Sequence, residues 1–567
     1  MKWTLRPHPE IPDGLKSISL NPTTLRLLLQ RGFFSKEEIE RFLNTKYEDL
    51  HSPDHITGIS EAVERIGKAR KKEEKVTIFG DYDADGITST VLLKETLEKI
   101  GILASTYIPD RNKEGYGLNK DAIDFVKKKY QTNLLITVDC GISNREEIEY
   151  ARRKKIDVIV VDHHSVPKSL PEKCILINPK LPGQKKSFME LAGVGVTFKV
   201  CLALWEKFMP QKTGHLKWFL DLVAIGTIAD CVPLTGENRI FAKFGLIVLQ
   251  KTKRIGIQEI IKTARLNISE ENPPSAENIA YQIGPRLNAA GRMDHADLTL
   301  NLLLEKDVAK ARLAALELEA KNSERQKITQ EVYGEVKKTL GENANYKLII
   351  RQGKNWPLGV LGIVAGKIAE EYHCPTFIFR ENGNIFEGSG RSINVFNLIE
   401  AVSQLDGLLE KYGGHSQAMG MRIKKNNLVK FEKKLQKIVE RVYDKNSWGR
   451  SIYIDVQIPA KEIDWDIVSE IRKFEPFGEG NWEPVISTKD FVVKEVTLVG
   501  NDQKHLKLFL SPESGAKAFE GIFFQAGERH SEFKIGDNIS VVYNLRSNEW
   551  NGNHKIELHI IDIRKNI

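Results

Sequence analysis

Three aspartates alternate within a short, glycine-bounded stretch of the chain. Asp81, Asp83 and Asp85 follow an apolar run, 76–79, that predicts a buried strand, and they precede a predicted helix over 89–97. Carboxylates at this spacing repel one another, and such a group is typical of a site for a hard divalent cation with oxygen ligands. A surface turn, or an aspartate that caps the helix, would account for the same residues.

Two further polar clusters follow predicted strands. Asp139 ends one apolar run, and another run ends in Asp162, His163 and His164. Helical stretches alternate with these strands, which predicts β-α-β units and a parallel sheet with helices on both faces. Because the ligand site of such a sheet lies outside the carboxyl ends of its strands, we expect the three clusters at one edge. Carboxylates together with imidazoles favour Mn²⁺, Mg²⁺ or a similar ion, whereas histidines alone would be surface or core residues.

A fourth aspartate, Asp230, ends an apolar segment shortly before Pro233, which blocks continuation of that segment. Taken alone, Asp230 would be a cap or a turn residue. Beside the other three clusters it is a candidate for the last ligand of the same site.

In their order, these stretches resemble the four motifs of the DHH phosphoesterase superfamily: 80–86, 138–141, 162–164 and 226–230. The first motif and several later segments are similar to those of the superfamily's single-strand-specific 5′→3′ DNA exonucleases. The resemblance extends over nearly the whole chain.

The resemblance implies a pair of Mn²⁺ or Mg²⁺ ions. The implied ligands are Asp83, Asp85, Asp139, His163 and Asp230. Asp139 would bridge the two ions. His164 would be a further metal ligand or a contact to the scissile phosphate, and Asp81 would support the ligands or the substrate.

The chemistry of such an ion pair is phosphoester hydrolysis. Two ions about 3.5–4 Å apart can activate a water molecule and stabilise both oxygens of an in-line displacement at phosphorus. No protein nucleophile is then required, and the sequence shows no Ser-His-Asp or Cys-His arrangement that competes for the role.

Two other segments are candidates for contact with a nucleic acid. In the loop 108–117, Arg111 suits bidentate phosphate contact and Tyr116 suits stacking, although turn chemistry explains the loop's glycines equally well. Arg286 and Arg292 lie in a predicted Pro/Gly-rich loop, which could equally be solvated. The resemblance implies that the first segment meets the 5′ end and that both arginines contact DNA.

A second α/β unit, from about 346 to 443, carries three more candidates. Ser389, Arg391 and His415 lie in glycine-rich segments that resemble the DHHA1 domain paired with DHH domains. Their side chains can bind a phosphate, and tight turns are the alternative explanation of the glycines. Pro357 stands where the family usually has a histidine, so any role of that histidine is in doubt here.

The chain is too long for one core, and we expect an α/β multidomain protein. A helix is predicted over 307–340, with Leu313 and Leu316 among its recurring apolar residues, and short alternating strands from residue 451 predict an OB-like β-barrel. The predicted layout is an N-terminal helical segment (1–70), a parallel-sheet DHH catalytic domain (71–240), a helical region with the long connecting helix (241–340), a smaller DHHA1 domain (341–447) and the barrel (448–567).

Composition agrees with a soluble protein. The chain has 567 residues, of which 41% are hydrophobic and 28% charged, and its formal net charge of +8 is compatible with a polyanionic partner. Five scattered cysteines predict reduced thiols. With no signal-peptide core at the N-terminus and no apolar run of membrane-spanning length, we expect a cytoplasmic protein.

The leading hypothesis is therefore a metal-dependent 5′→3′ exonuclease that degrades single-stranded DNA to mononucleotides in recombination and repair. A phosphoesterase of short oligonucleotides or small phosphates would keep the metals, but it would not need the barrel. A non-catalytic scaffold that binds single-stranded DNA would have lost some of the metal ligands, whereas every expected aspartate and histidine is present in this sequence. We expect a monomer that binds single-stranded DNA, with a helicase and a single-strand-binding protein as candidate partners.

Overall fold

The computed structural model describes residues 2–111, 113–341, 346–444, 448–449, 451–500, 502–512, 515, 517–550 and 553–566. Within these ranges every helix is too short or too polar to cross a bilayer. All five cysteines are free, as the sequence predicts.

The N-terminal part contains a strand and three helices: β1 (Lys2–Leu5), α1 (Pro22–Gln30), α2 (Lys36–Leu43) and α3 (Ile59–Lys71). Strands and helices then alternate: β2 (Val76–Gly80), α4 (Ala84–Lys99), β3 (Ala104–Tyr107), α5 (Lys120–Tyr130), β4 (Leu134–Val138), α6 (Arg145–Arg153), β5 (Asp157–Val161), β6 (Ile175–Ile177) and α7 (Gly193–Phe208). The strands form a wholly parallel sheet in the order β3-β2-β4-β5-β6.

Helices cover both faces of this sheet. Ile78 and Ile136 pack into the core formed with α3, α4 and α7, whereas Phe79 and Leu135 pack against α5 and α6 on the other face. Strands buried on both faces are apolar throughout, which is why 76–79 and its neighbours are continuous hydrophobic runs. The predicted doubly covered parallel sheet is confirmed.

Helices dominate the next region: α8 (Leu220–Ala229), α9 (Gly236–Gln250), α10 (Ile255–Thr263), α11 (Ala276–Asn278), α12 (Gly284–Met293), α13 (Asp297–Leu304) and α14 (Val308–Lys338). A π-helical turn, Ile279–Ile283, joins α11 to α12.

One prediction in this region is wrong, and another is confirmed with an unexpected buried face. The segment that carries Arg286 and Arg292 is the helix α12 and not a loop. Pro285 lies in its first turn, where the missing N–H costs nothing. The long helix α14 is confirmed, but Leu313 and Leu316 are exposed, and its buried stripe near the start consists of Ala311, Ala315 and Leu318.

A second α/β unit follows: β7 (Ile349–Gly353), α15 (Leu358–Tyr372), β8 (Thr376–Asn382), β9 (Ile385–Arg391), α16 (Leu398–Ser403), β10 (Leu409–Gly414), β11 (Ala418–Lys424) and α17 (Lys425–Val442). Its sheet has the order β10-β11-β9-β8-β7, with only β7 and β8 parallel. α15 packs on one face and α17 on the other. Ser389 pairs with Ile378, which places it on the α15 face.

The C-terminal part is a closed barrel, as predicted. Its elements are β12 (Ser451–Ile454), β13 (Val456–Gln457), α18 (Trp465–Arg472), β14 (Ile486–Val499), β15 (His505–Pro512), β16 (Phe519–Phe523), β17 (Asn538–Trp550) and β18 (Asn553–Lys565). The strands β14-β15-β16-β18-β17 close through a β14–β17 pairing. Several are longer than the sequence pattern indicates.

The N-terminal segment packs against this barrel, an association that the sequence does not reveal. β1 pairs in parallel with β12. Leu28 of α1 and Phe42 of α2 join the barrel's hydrophobic core, where the Phe42 ring meets Phe474 edge to face. The two ends of the chain therefore share one core.

Candidate functional site

The parallel sheet brings the predicted clusters to one edge. β2 ends just before Asp81, β4 just before Asp139, and β5 just before Asp162. β3 lies on one side of β2 and β4 on the other, so the crevice above β2 and β4 is a topological switch point, where such sheets bind ligands. Asp230 reaches the same place from the carboxyl end of α8, which packs against α4.

Two helix N-termini hold two of the three alternating aspartates. Asp83 is the N-cap of α4, and its carboxylate accepts hydrogen bonds of 3.0 Å from the backbone N–H groups of Asp85 and Gly86. The Asp85 carboxylate accepts hydrogen bonds of 2.7 and 2.8 Å from Gly193 and Val194 in the first turn of α7. A helix N-terminus stabilises a negative charge by about 0.3–1 kcal/mol. The capping role considered for this stretch is therefore real for Asp83 and coexists with the cluster.

Asp139 lies among the other carboxylates with its backbone in the left-handed region, at φ +60°. Its N–H donates to the Val161 carbonyl at 2.9 Å, and its own carbonyl accepts from the Tyr116 hydroxyl at 3.3 Å. A Cβ at Gly193 would lie 2.7 Å from Asp139 Oδ1, so only glycine fits there. Gly193 thus contacts two carboxylates, a role that sequence reasoning missed.

The donor atoms of these residues fit a divalent metal. Three sets have ligand atoms within 4.8 Å of one another: Asp81, Asp83 and Asp139; Asp139, His163 and His164; and Asp85, His163 and Asp230. Asp139 and His163 each belong to two sets. Of the two, Asp139 suits the bridging position, because a carboxylate can bind two ions whereas a neutral imidazole has one free lone pair. Among the described residues, Asp81 Oδ1, Asp139 Oδ1 and His163 Nε2 are buried without a hydrogen-bond partner. Buried polar atoms normally have one, so a coordinated cation would explain all three.

The carboxylates lack a compensating charge of their own. Burial, reinforced by neighbouring carboxylates, raises the pKa of Asp81, Asp139 and Asp230 well above the usual range. Burial and the charge of Asp83 raise the pKa of Asp85 to about 7. We call Asp81, Asp83, Asp85, Asp139 and Asp230 the acidic cluster. A divalent cation would keep this cluster ionised at neutral pH.

The adjacent histidines differ in environment. Burial and the neighbouring His164 lower the pKa of His163 to about 3, and His163 Nε2 lies 3.2 Å from Asp139 Oδ1, so its neutral ring suits a metal ligand. His164 Nδ1 lies 2.8 Å from Asp162 and 3.1 Å from the Tyr116 hydroxyl. Burial opposes a charge on His164, but the hydrogen bond and the charge of Asp162 outweigh it and raise the pKa. His164 is therefore suited to an anionic phosphate oxygen as well as to a metal.

Arginines gather beside the acidic cluster. Burial and the charges of Arg111, Arg325 and Arg391 lower the pKa of Arg292 to about 10. Burial and Arg111 likewise lower the pKa of Arg391. We call Arg111, Arg292 and Arg391 the basic cluster. None of its members has a carboxylate within ion-pair distance among the described residues, so together they form a site for an anion.

The basic cluster lies where the second α/β unit meets the first. Arg292 Nη1 donates to the Gly359 carbonyl of α15 at 3.2 Å, and a Cβ at Gly359 would clash with the Arg292 carbonyl oxygen. Ser389 and Arg391 lie against Gly362 of the same helix. The glycines of α15 thus allow the two units to approach closely.

His415 brings the second unit to the metal site. Its ring stacks on His164, with centroids 6.3 Å apart and planes 18° apart. Burial, His164 and Lys180 lower the pKa of His415. The Arg111 guanidinium lies 5.0 Å from the centroid of the Tyr82 ring, within the first motif. The structure therefore unites Arg111, Tyr116 and His415 with the acidic cluster.

Arg286 is placed differently. Its guanidinium forms a forked ion pair with Glu319 of α14 and donates to the Gln282 carbonyl at 2.8 Å. These contacts join α12 to the connecting helix. Arg286 is thus committed to a carboxylate, unlike Arg292 in the same helix.

Two residues support the site in roles that sequence reasoning did not assign. Asp162 accepts backbone hydrogen bonds from Ile142 at 2.9 Å and His163 at 2.7 Å while it faces His164, so it orients both histidines. Its place in the Asp-His-His motif was the available signal. Asn288 of α12 accepts a 2.7 Å hydrogen bond from the Ala84 N–H, next to Asp83, and no local pattern marks it.

Pro357 is the N-cap residue of α15, at φ −65°. Its neighbour Trp356 donates its indole N–H to Glu335 of α14 at 2.8 Å. In this chain the position of the family's usual histidine therefore begins a helix.

The sheet, the switch-point crevice and the acid–histidine set define a phosphoesterase of the DHH class. Family models match three parts of the chain: the DHH family N-terminal domain over 75–227, the DHHA1 domain over 345–443 and the RecJ OB domain over 454–562.

Similar proteins specify the class further. The single-stranded-DNA-specific exonuclease RecJ of Bacillus subtilis is 36% identical, over 99% of this chain and 70% of its own length. RecJ of Haemophilus influenzae is 32% identical over 97% of each chain. The crystal structure of Thermus thermophilus RecJ in complex with Mn²⁺ superposes with a TM-score of 0.83 at 26% identity, covering 100% of this chain and 80% of that one. The chain belongs to the RecJ family, and the resemblance inferred from its motifs is confirmed.

Proposed function

We propose that this protein is a metal-dependent exonuclease that degrades single-stranded DNA to mononucleotides in the 5′→3′ direction, serving recombination and repair. One observation carries the proposal: a buried acidic cluster and an unpaired basic cluster meet at a single crevice. The metal ions would supply positive charge to the acidic cluster, and the phosphodiester would supply negative charge to the basic cluster. The relatives named single-stranded-DNA-specific exonucleases support the substrate, and the motif resemblance supports the polarity.

Two Mn²⁺ or Mg²⁺ ions, when bound, would activate water and stabilise charge on the phosphate oxygens. We assign their ligands to Asp83, Asp85, Asp139, His163 and Asp230, with Asp139 shared between the ions. The α7 N-terminus holds the Asp85 carboxylate in place, so this ligand needs little reorganisation. Asp81 supports the set from its buried position.

The remaining residues orient the strand. Arg111, Arg292 and Arg391 would bind phosphate oxygens, with Ser389 adding a hydroxyl. His164, whose pKa Asp162 helps to raise, would donate a hydrogen bond to the phosphate under attack. His415, stacked on His164, would contact the next phosphate or sugar, and Tyr116 would stack on a base. Arg286, already paired with Glu319, would act by fixing α12.

The finer organisation is also proposed. The relatives' action on DNA is consistent with work in the cytoplasm. We propose further that the protein is a monomer with a helicase and a single-strand-binding protein as partners. We also propose that the chain has the five domains predicted from its sequence and that the barrel helps to bind the single strand.

The experiment compares the protein with its Asp139→Ala variant in Mn²⁺, on single strands labelled at either end and on duplex DNA, RNA and a dinucleotide. We expect mononucleotide release from the 5′ end of single strands and none from the variant. The control is Asp121→Ala, which removes an exposed aspartate from the same domain. Release only from 3′ ends, or full activity of Asp139→Ala, would refute the proposal, and hydrolysis confined to the dinucleotide would indicate a short-oligonucleotide phosphoesterase.

A further inference from the structure

The segment that follows Asp230 is held by the C-terminal barrel. We call residues 473–482, which lie between α18 and β14, the barrel loop. Asp230 lies at the carboxyl end of α8, and shortly after it the Leu234 N–H donates to the Glu479 carbonyl of the barrel loop at 2.7 Å. A Cβ at Gly480 would lie 2.8 Å from Pro233 Cβ, so only glycine allows the loop to pack this closely. The barrel therefore contacts the chain within four residues of a proposed metal ligand.

Hydrogen bonds fix the shape of the barrel loop. The Asn481 side chain, which is buried, donates to the carbonyls of Phe474 at 2.8 Å and Pro476 at 2.9 Å. The backbones of Asn481 and Gly478 exchange two hydrogen bonds of 3.0 and 3.1 Å. Arg239, in the first turn of α9, donates to the Phe474 carbonyl at 2.5 Å. The loop is thus fastened both to itself and to α9.

Asn238 joins the same segment to a second proposed ligand. Its buried side-chain amide donates to the Pro233 carbonyl at 3.0 Å and to the Glu190 carbonyl at 2.5 Å. Glu190 lies shortly before Gly193, whose N–H binds the Asp85 carboxylate. The opposite orientation of the amide would place Oδ1 against two carbonyl oxygens, so these two bonds determine which way it points. Among the described residues Asn238 Oδ1 is buried without a partner, which shows that the amide is committed to joining the two segments.

We propose that Asn238 and Gly480 are positioning residues of the metal site, through which the barrel sets the placement of Asp230 and Asp85. Gly480 lets the barrel loop pack on Pro233, and Asn238 ties that segment to the start of α7. Residues that orient metal ligands usually contribute about 10- to 100-fold to metal affinity or activity. The inference rests on the proposed function for the identity of the ligands.

A pair of glycine variants separates packing from backbone strain. Gly480 and Gly536 both have left-handed backbones, at φ +67° and +90°, so alanine strains both. Only at Gly480 would the new Cβ displace another residue, because nothing lies within 4 Å of a Cβ at Gly536. Mn²⁺ binding to the full-length protein is measured by titration calorimetry without DNA. We expect the dissociation constant to rise about tenfold in Gly480→Ala and to match the wild type in Gly536→Ala.

Asn238→Ala tests the second connection. Its control is Asn427→Ala, which removes a 2.9 Å hydrogen bond to the Leu408 carbonyl in the second α/β unit. We expect Asn238→Ala to weaken Mn²⁺ binding by about tenfold or more. At limiting Mn²⁺, kcat on single strands should fall by a similar factor while KM stays within about twofold. Saturating Mn²⁺ should restore kcat, a rescue that general damage to the fold would not show.

Circular dichroism establishes that each variant is folded at the assay temperature. If Asn238→Ala does not fold, Gly480→Ala decides alone, since Gly480 lies at the surface. Wild-type Mn²⁺ affinity in the folded variants, or an equal loss in Gly536→Ala, would overturn the proposal. A raised KM with unchanged Mn²⁺ affinity would also overturn it and would indicate a strand contact. A protein that binds Mn²⁺ but leaves single strands intact would refute the nuclease proposal, whereas the calorimetry would still decide this one.

Discussion

The acidic and basic clusters are built in opposite ways. The acidic cluster consists mostly of residues that directly follow strands of one parallel sheet, so local motifs specify it. The basic cluster gathers Arg111, Arg292 and Arg391 from a loop, a helix and a strand that are far apart in the chain. The first exists within one domain, whereas the second requires the two α/β units to dock.

The difference shows how the two clusters depend on substrate. Each cluster concentrates one sign of charge. Burial and like charges raise the carboxyl pKa of Asp139 in the first cluster and lower the guanidinium pKa of Arg292 in the second. Metal ions would neutralise the charge of the acidic cluster even in the absence of DNA. The charge of the basic cluster would be neutralised only by the phosphates of the strand. Metal binding and strand binding should therefore be separable by mutation.

The largest effect is expected from Asp139→Asn, because it removes a carboxylate that belongs to two candidate metal sets. We expect kcat on single-stranded DNA to fall by about 10³-fold or more. Thermal stabilisation by Mn²⁺ should fall as well, while DNA affinity in Ca²⁺ should change little. Asp121→Asn is the control, and a variant that keeps even a tenth of the wild-type rate would contradict the assignment of Asp139 as a shared ligand.

Arg391→Ala should mainly affect strand binding. We expect KM to rise by about 10- to 100-fold. The slope of log affinity against log salt should fall by about 0.7, the value for one phosphate contact to a single strand. Mn²⁺ affinity should remain close to that of the wild type.

Arg286→Ala sharpens this test, since the Arg286 guanidinium is already paired with Glu319. For this variant the slope of log affinity against log salt should equal that of the wild type. A loss of slope equal to that of Arg391→Ala would show that Arg286 contacts the strand directly.

Mn²⁺ affinity should depend on pH near neutrality. The carboxyl pKa of Asp85 is raised to about 7, so protons compete with the metal as the pH falls below that value. We expect affinity to weaken by about tenfold per pH unit for one displaced proton. Calorimetry in two buffers of different ionisation enthalpy measures the proton release, and a pH-independent affinity without it would contradict the prediction.

The smallest effect is expected for a change at Glu387, which lies in the same strand as Arg391 of the basic cluster. Glu387 shares β9 with Arg391 and is paired with Arg380 at 2.7 Å and Arg422 at 2.8 Å. Burial opposes the charge, but hydrogen bonds from Arg380 and Asn382 prevail and lower the pKa of Glu387. Glu387→Gln should therefore destabilise the protein by about 1–2 kcal/mol at neutral pH.

The sign of its pH dependence follows from the lowered pKa. The stabilisation is present above the pKa of the unfolded state and is lost as the pH falls through that of the folded state. Melting temperatures of the wild type and variant should thus converge in acid. A difference that grows in acid would contradict this explanation.

Much of the architecture could be predicted because it is encoded locally. Strand–helix alternation indicated the parallel sheet, and the position of Asp81, Asp139 and His163 after strands placed them at one edge. Prediction failed where tertiary contacts reverse a local preference. Pro285 and Gly291 indicated a loop, yet the proline fits a first helical turn, and a Cβ at Gly291 would lie 2.6 Å from the Tyr82 carbonyl oxygen.

The sequence by itself determined the candidate metal ligands and the order of the domains, because both depend on residues that are neighbours in the chain. Only the tertiary structure decided that α7 holds Asp85, that His415 stacks on His164, and that Arg286 pairs with Glu319 while Arg292 does not. These contacts join segments up to hundreds of residues apart. Their partners are chosen by the packing of whole helices and sheets, which leaves no pattern in either segment alone.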